Sequence, residues 1–182
     1  MDERVQQFRD GIFSLHTTRF GRVGELMCQK LYNMTDADSI NYDKRLDNQR
    51  IECKFSRALS ENQEKITEHN LLTQCFQANY ERRVVKSNEA TGQAFDCNIQ
   101  QVKPLEFDVL YYGIFFQDKI EIYKIASQDI TNIVGYSNKQ HKGNTGEGQF
   151  HISNANINYH RQNTIKTLDY KELYLLFGGT EN

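Results

Sequence analysis

The chain has 182 residues, enough for one domain with a real hydrophobic core. Its 25% charged and 12% aromatic content exclude a disordered chain, and a formal net charge of −2 excludes a protein that coats nucleic acid through a global basic field. No apolar run approaches the length of a membrane span and the amino terminus has no apolar signal core, so a soluble, cytoplasmic protein is expected.

Residues 3 to 15 place Val5, Phe8, Ile12 and Leu15 on one face of a short helix. Residues 19 to 34 repeat the pattern, with Phe20, Val23, Met27, Leu31 and Met34 recurring at spacings of three and four. Gly21 and Gly24 lie within this second helix, where they permit close packing at a cost in propensity. Glu25 falls off the centre of the apolar stripe. It reads either as a solvated helix carboxylate or as a group lent to a site on a neighbouring element.

Residues 40 to 56 read as a β-hairpin. From Gln49, the apolar Ile51, Cys53 and Phe55 alternate with Arg50, Glu52, Lys54 and Ser56, the pattern of a half-buried strand. A period of two places Glu52 and Lys54 on one face, about 7 Å apart. Ile40, Tyr42 and Leu46 give the preceding strand a weaker alternation. Asp47-Asn48 supplies the turn, since both residues tolerate left-handed backbone. Centred there, the turn pairs residue 46 with 49 and residue 43 with 52. The Cβ atoms of Asp43 and Glu52 are then about 5 Å apart. Asp38 competes with Asp43 for that place; Asp47 does so more weakly, being too near the turn.

Two carboxylates from different strands suit Mg²⁺, a hard ion that takes oxygen ligands and keeps several waters. Such an ion stabilises charge on a phosphate and acidifies a bound water. Lys54 would orient that water or stabilise developing negative charge. The plain alternative is an exposed hairpin with a charged face.

Ser60 to Glu64 has capping character and opens a helix to about Phe76, with Ile66, Leu71, Leu72 and Phe76 inward. Arg82, Arg83 and Lys86 form a basic cluster around Val84-Val85, either a phosphate contact or a solvated segment. Residues 87 to 106 read as an irregular polar loop or short elements, closed by the only proline, Pro104. Phe107 to Phe116 is nearly continuous in apolar residues, as in a central strand buried on both faces. Gln117-Asp118-Lys119 turns it into a second strand, Ile120 to Ile125, and Ser127-Gln128-Asp129 starts a short helix. Cys28, Cys53, Cys75 and Cys97 lack metal or redox spacing and are expected to be reduced and structural.

Residues 135 to 164 are dense in Asn, Gln, His, Lys and Arg, whose donors and acceptors match base edges and phosphates. Gly143, Gly146 and Gly148 permit a mobile loop or close backbone approach. Asn138, Lys139, Gln140, Asn144, Gln149, His151, Asn154, Asn156, Asn158 and Arg161 are the candidate DNA-contacting residues. Local positive charge is concentrated at Arg82-Arg83, Lys139 to Lys142 and His160-Arg161. His151 is read as a hydrogen-bonding group, and His141 and His160 form no metal spacing with it. Residues 169 to 177 close as an amphipathic helix with Asp169 as its N-cap and Gly178-Gly179 at its end.

Asp43, with Glu52-Cys53-Lys54 nine residues on, resembles the Asp…(Asp/Glu)-x-Lys core of the PD-(D/E)XK nuclease superfamily. It departs from that pattern at Tyr42, in place of a proline that is often missing in the superfamily as well. Arg19 to Leu26 resembles the helix that lends an extra glutamate to the metal site in many restriction enzymes of this superfamily. Gly148 to Ser153, followed by Asn156, resembles a late strand of several type II restriction endonucleases. The resemblance implies one domain over residues 1–182 with a restriction-endonuclease-like fold. Its class is α/β or α+β: a central mixed sheet of five or more strands with helices on both sides. It implies a sequence-specific type II restriction endonuclease, a homodimer that hydrolyses phosphodiester bonds of double-stranded DNA with Mg²⁺. Asp43, Glu52 and Cys53 are then the metal positions, Lys54 the catalytic ammonium and Glu25 a further catalytic acid. Two alternatives stand beside it. One is a repair or junction-resolving nuclease of the same superfamily; the other is a noncatalytic nucleic-acid-binding or scaffold protein.

Overall fold

A six-stranded sheet and a four-stranded sheet share one interior, and the computed structural model describes residues 2–60, 64–77, 83–139 and 145–180. Two helices come first, α1 (Glu3–Ser14) and α2 (Thr17–Tyr32). The strands β1 (Thr35–Asp36), β2 (Lys44–Leu46), β3 (Gln49–Arg57) and β4 (Leu59–Ser60) follow, then the short helix α3 (Leu71–Gln77). Next are β5 (Phe95–Val102), β6 (Val109–Phe115), β7 (Lys119–Ala126) and a 3₁₀ turn over Ser127–Asn132. The chain ends with β8 (Ser137–Lys139), β9 (Thr145–Ser153), α4 (Ile157–Arg161), β10 (Thr164–Asp169) and α5 (Tyr170–Leu176).

The first sheet runs β1-β2-β3-β6-β7-β10 and the second β4-β5-β9-β8. The first is mixed: β3 and β6 are parallel, and its other neighbours are antiparallel. Every residue of β6 is buried, as its apolar run requires. One face of the sheet, with Ile51, Cys53, Tyr111 and Ile122, packs against Phe13, Phe20, Met27, Cys28 and Leu173 of α1, α2 and α5. The other face, with Leu110, Tyr112 and Ile114, packs against Cys97, Ile99, Phe150 and Ile152 of the second sheet. Ile130 of the 3₁₀ turn and Ile157 of α4 join that interior. The result is a mixed α/β architecture with a multistranded mixed sheet flanked by helices on one face; the other face, expected to carry helices as well, is covered mainly by the second sheet. No helix among the described residues is long and apolar enough to cross a membrane.

Gly24 lets α2 approach β3, because a methyl group there would overlap the Phe55 ring. Gly21 has open space around it and has no such role. Two expectations are corrected. Residues 87 to 106 hold a full strand, β5, in which Phe95, Cys97 and Ile99 alternate inward. A bulge after Ile99 brings Val102 back to the interior and leaves Gln101 at φ +56°, which breaks the period that a strand reading looks for. The helix expected from Ser60 to Phe76 exists only as α3, and Ile66, Leu71, Leu72 and Phe76 are exposed rather than inward. Its amino-terminal part is held in turns. The Asn70 side chain accepts from Thr67 N–H and donates to Glu64 and to the Lys65 carbonyl, competing with helical bonds. Residues 61–63 of that stretch lie outside the described residues. Three cysteines are buried thiols, but Cys75 on α3 is exposed.

Candidate active site

The hairpin turns at Asp47, whose φ of +53° is the left-handed backbone that Asp tolerates. Leu46 pairs with Gln49, Arg45 with Arg50 and Lys44 with Ile51, the register the turn implies. Regular pairing stops there. The Asp43 N–H donates to the Ile51 carbonyl at 3.0 Å. The Asp43 carboxylate then takes over the ladder, accepting the Cys53 N–H at 2.9 Å. Lys44 points to the opposite face and is fully buried, donating to Gln29 Oε1 at 2.7 Å and pairing with Asp36. That anchor to α2 leaves Asp43 facing away from the helices.

On β3, Lys54 Nζ lies 2.6 Å from Glu52 Oε1, on one strand face as period two requires. Asp43, Glu52 and Lys54 line a single cleft of about 210 Å³. A water takes about 30 Å³ in the liquid, so the cleft has room for several. Its far wall is made of Gln101, Lys103, Glu106 and Glu147. Lys103 sits 3.6 Å from both Glu106 and Glu147. Arg50 forks onto Asp108 at 2.7 and 3.2 Å, tying the loop that carries Glu106 to the start of β3. Sequence reading missed this wall. Its one local signal is the alternation of β5, which the bulge at Gln101 interrupts.

Burial pushes Glu52 up to about 7, and the charges of Asp43 and Glu25 add to this against the opposing pull of Lys54. Burial also raises Asp43, although the Cys53 N–H and Lys54 oppose it. Burial acts to lower Lys54, but Glu52, Asp43 and Glu25 outweigh it and hold the ammonium above its ordinary value. The cleft therefore concentrates negative charge that its own donors do not fully answer.

Among the described residues, no group of three or more His, Cys, Asp or Glu side chains is set to enclose a metal ion. The pair Asp43 and Glu52 is instead the kind of donor set Mg²⁺ uses, one or two carboxylates with waters and substrate phosphate completing the shell. Cys53 meets this pair through its main chain. Its thiol is buried against Cys28, whereas its N–H faces Asp43, and in a strand the carbonyl of a residue points to the same edge as its N–H.

Asp38 bonds to the Tyr42 hydroxyl, lies 3.5 Å from Arg45 and stays outside the cleft; Asp47 stays in the turn. Glu25 does not line the cleft. Arg22 holds its carboxylate at 2.6 Å, and its charge still bears on Asp43, Glu52 and Lys54.

The Asn-rich segment divides. Asn138, Lys139, Asn154 and Asn158 are exposed, and Gln149 is half-buried on β9. His151 bonds to Asp96 at 2.7 Å. Asn156 is engaged locally, accepting from Ser153 N–H and donating to the His151 carbonyl, each at 2.8 Å. Arg161 grips Glu121 through two contacts of 3.0 Å and donates to the Ser87 carbonyl at 2.7 Å. His160 is buried against Phe150 and Tyr112, and burial pushes it down to about 4. Gln140, His141, Lys142 and Asn144 lie outside the described residues, as does Arg82. Arg83 donates to the Ser60 carbonyl at 3.1 Å, and Lys86 lies 3.9 Å from Glu89. Compared with known proteins, the chain matches no family model, no curated protein and no solved structure.

Proposed function

We propose that the chain is a Mg²⁺-dependent endonuclease of the PD-(D/E)XK type, with the corresponding fold, that cuts double-stranded DNA at a specific sequence as a homodimer. The observation that carries this reading is the convergence of Asp43, Glu52 and Lys54 on one cleft with a Glu52–Lys54 contact of 2.6 Å. When bound, the ion would polarise the scissile phosphate and acidify a water. The chain's own groups do the rest. Asp43, oriented by the Cys53 N–H, and Glu52 would hold the cation, and the Cys53 carbonyl would offer a further oxygen. Lys54, kept charged by its carboxylate neighbours, stabilises negative charge developing on the phosphate. Glu25 adds negative charge from α2 and raises the pull on a cation. Lys103 on the opposite wall supplies a second positive group toward the DNA backbone. The acidic cleft repels phosphate by itself, which makes the cation a condition for productive DNA approach.

Asn138, Lys139, Gln140, Asn144, Gln149, His151, Asn154, Asn158 and their neighbours Asn156 and Arg161 form the region proposed to meet the DNA groove. A structure-reading repair or junction nuclease is the second reading. It is favoured by the internal engagement of Asn156 and Arg161, which leaves fewer side chains for base edges. Plasmid digestion with Mg²⁺, followed by sequencing of fragment ends, separates the two. One flanking sequence at every end is expected; ends set by DNA shape favour the second reading. No cleavage with Mg²⁺ or Mn²⁺, together with no defined metal stoichiometry by calorimetry, overturns both.

A further inference from the structure

The cleft carries four carboxylates, Asp43, Glu52, Glu106 and Glu147, against two ammoniums, Lys54 and Lys103. Both ammoniums are taken. Lys54 lies 2.6 Å from Glu52, and Lys103 lies 3.6 Å from both Glu106 and Glu147. One divalent cation would answer the excess of negative charge, and a phosphate would still bring a charge of its own. The donors left for it are uncharged. Among the described residues, Asn41 and Gln101 are the polar residues around the cleft whose side chains hold no hydrogen bond. Side-chain amides are ordinary donors to DNA phosphate oxygens.

Of the two, Gln101 is held in an unusual backbone. Its φ is +56°, a left-handed conformation that glycine takes freely and that a longer side chain takes against its own Cβ. The bulge of β5 uses an extra residue here to return Val102 to the interior, and glycine would serve that turn with the least strain. The Gln101 side chain is exposed and adds no hydrogen bond to the fold. Bulges re-aim side chains beside active sites, and residues in sparsely populated backbone regions cluster where ligands are held. This bulge sets an uncommitted amide on the wall that faces Asp43, Glu52 and Lys54.

We propose that Gln101 is a substrate-contacting residue of this cleft, its side-chain amide donating to an oxygen of the scissile phosphodiester from the wall opposite Asp43 and Glu52. The inference rests on the proposed nuclease activity for the identity of the phosphate. The cation and Lys54 meet that phosphate from the hairpin side, and Gln101 fixes it from the other. An uncharged donor suits this wall, because an ammonium beside Glu106 and Glu147 pairs with them, as Lys103 does. A phosphate contact carries no sequence information, so it serves every base pair alike.

The test uses the full chain and a duplex carrying the site that plasmid digestion identifies. In EDTA, Gln101→Gly is expected to melt no lower than wild type, because glycine takes φ +56° freely. It is expected to weaken duplex binding in Ca²⁺ and to raise KM about tenfold, as for the loss of one hydrogen bond to a charged group. Its kcat should stay within about threefold of wild type, the mark of a contact that binds substrate and transition state equally. Gln101→Glu keeps the wild-type length and replaces the donor by a negative charge, so its KM should rise further. Wild-type Kd and KM in both variants overturn the proposal and leave the nuclease reading intact. A fall in the melting temperature of Gln101→Gly large enough to account for its lost binding also overturns it, by making the residue structural. A changed preference among duplexes that differ by one base pair overturns the phosphate assignment, by making Gln101 a base reader. If Gln101→Gly does not fold, Gln101→Glu decides alone. A wild-type chain that neither cuts nor binds DNA removes the nuclease reading and this contact with it.

Discussion

Glu52 and Glu121 are the same residue type on the same sheet, 8% and 3% exposed, and their environments drive them in opposite directions. Burial pushes Glu121 up, but Arg161, the Tyr123 hydroxyl at 2.7 Å and Lys119 at 3.2 Å more than reverse it and hold its carboxyl below the ordinary value. Glu52 has Lys54, with Asp43 and Glu25 adding negative charge, and burial prevails. A buried carboxylate with a full set of donors is a structural strut. One left short of donors, facing a cleft with room for water, is the kind of position proposed above for a cation.

The largest expected effect separates the two sites by activity. Asp43→Ala, Glu52→Ala and Lys54→Ala should each lower plasmid cleavage by about a thousandfold or more, as expected when a cation or its partner ammonium is lost from a transition state. DNA binding in Ca²⁺ should persist. Glu121→Gln should cut normally per folded molecule. Normal cutting by Asp43→Ala together with failure of Asp38→Ala would move the metal site to Asp38.

Stability should show the reverse order. Glu121→Gln leaves Arg161 without its partner and should cost about 2–3 kcal/mol in urea unfolding. Glu52→Gln in EDTA should cost far less, because the wild-type carboxylate is poorly compensated. Equal losses in the two variants would break the comparison.

The pH dependence should differ in sign. The folded-state carboxyl of Glu52 sits near 7, above its ordinary value of 4.5. The folded, metal-free protein therefore keeps a proton that the unfolded chain has lost between those values. Its stability relative to Glu52→Gln is full below about pH 4.5 and falls, by on the order of 3 kcal/mol, as pH rises toward 7. For Glu121 the folded value is lowered, so its contribution is present above about pH 4.5 and is lost as pH falls below it. Urea midpoints of wild type and the two variants from about pH 3 to 8 should give difference curves of opposite slope. Parallel curves would show that the two carboxylates share one environment.

The smallest effects concern readout. Asn138→Ala, Asn154→Ala and Asn158→Ala, at exposed positions, should cost about 1–2 kcal/mol on the cognate site where a base is contacted, and little on random DNA. Lys139→Ala should weaken both alike and flatten the salt dependence by about one unit of slope. Asn156→Ala and Arg161→Ala should instead lower the melting temperature, because both side chains bond within the chain. A change in cognate preference without a loss of stability in either variant would place them in the groove.

Much of the hairpin side of the cleft was legible from residue order. The Asp47-Asn48 turn and a period of two are local properties, and they suffice to set Leu46 against Gln49 and Glu52 beside Lys54. The apolar run of β6, the stripe of α2 and the capping box of Asp169 with Glu172 are equally local. The far wall of the cleft was not legible. Gln101, Lys103 and Glu147 reach it through a bulge and through pairing of β5 with β9, about 50 positions apart in the chain.

Sequence by itself determined which side chains share a strand face or a helix stripe, because those periodicities belong to the backbone of one segment. Tertiary structure alone decided what each charge would meet. Arg161 looks like a groove-reading side chain in the sequence and is a strut for Glu121, 40 positions away. Leu71 and Leu72 look like core and stand outside. Glu52 looks like Glu121 until their neighbours are counted. Burial and Coulomb interaction depend on distance through space, and residue order constrains that distance only within a segment.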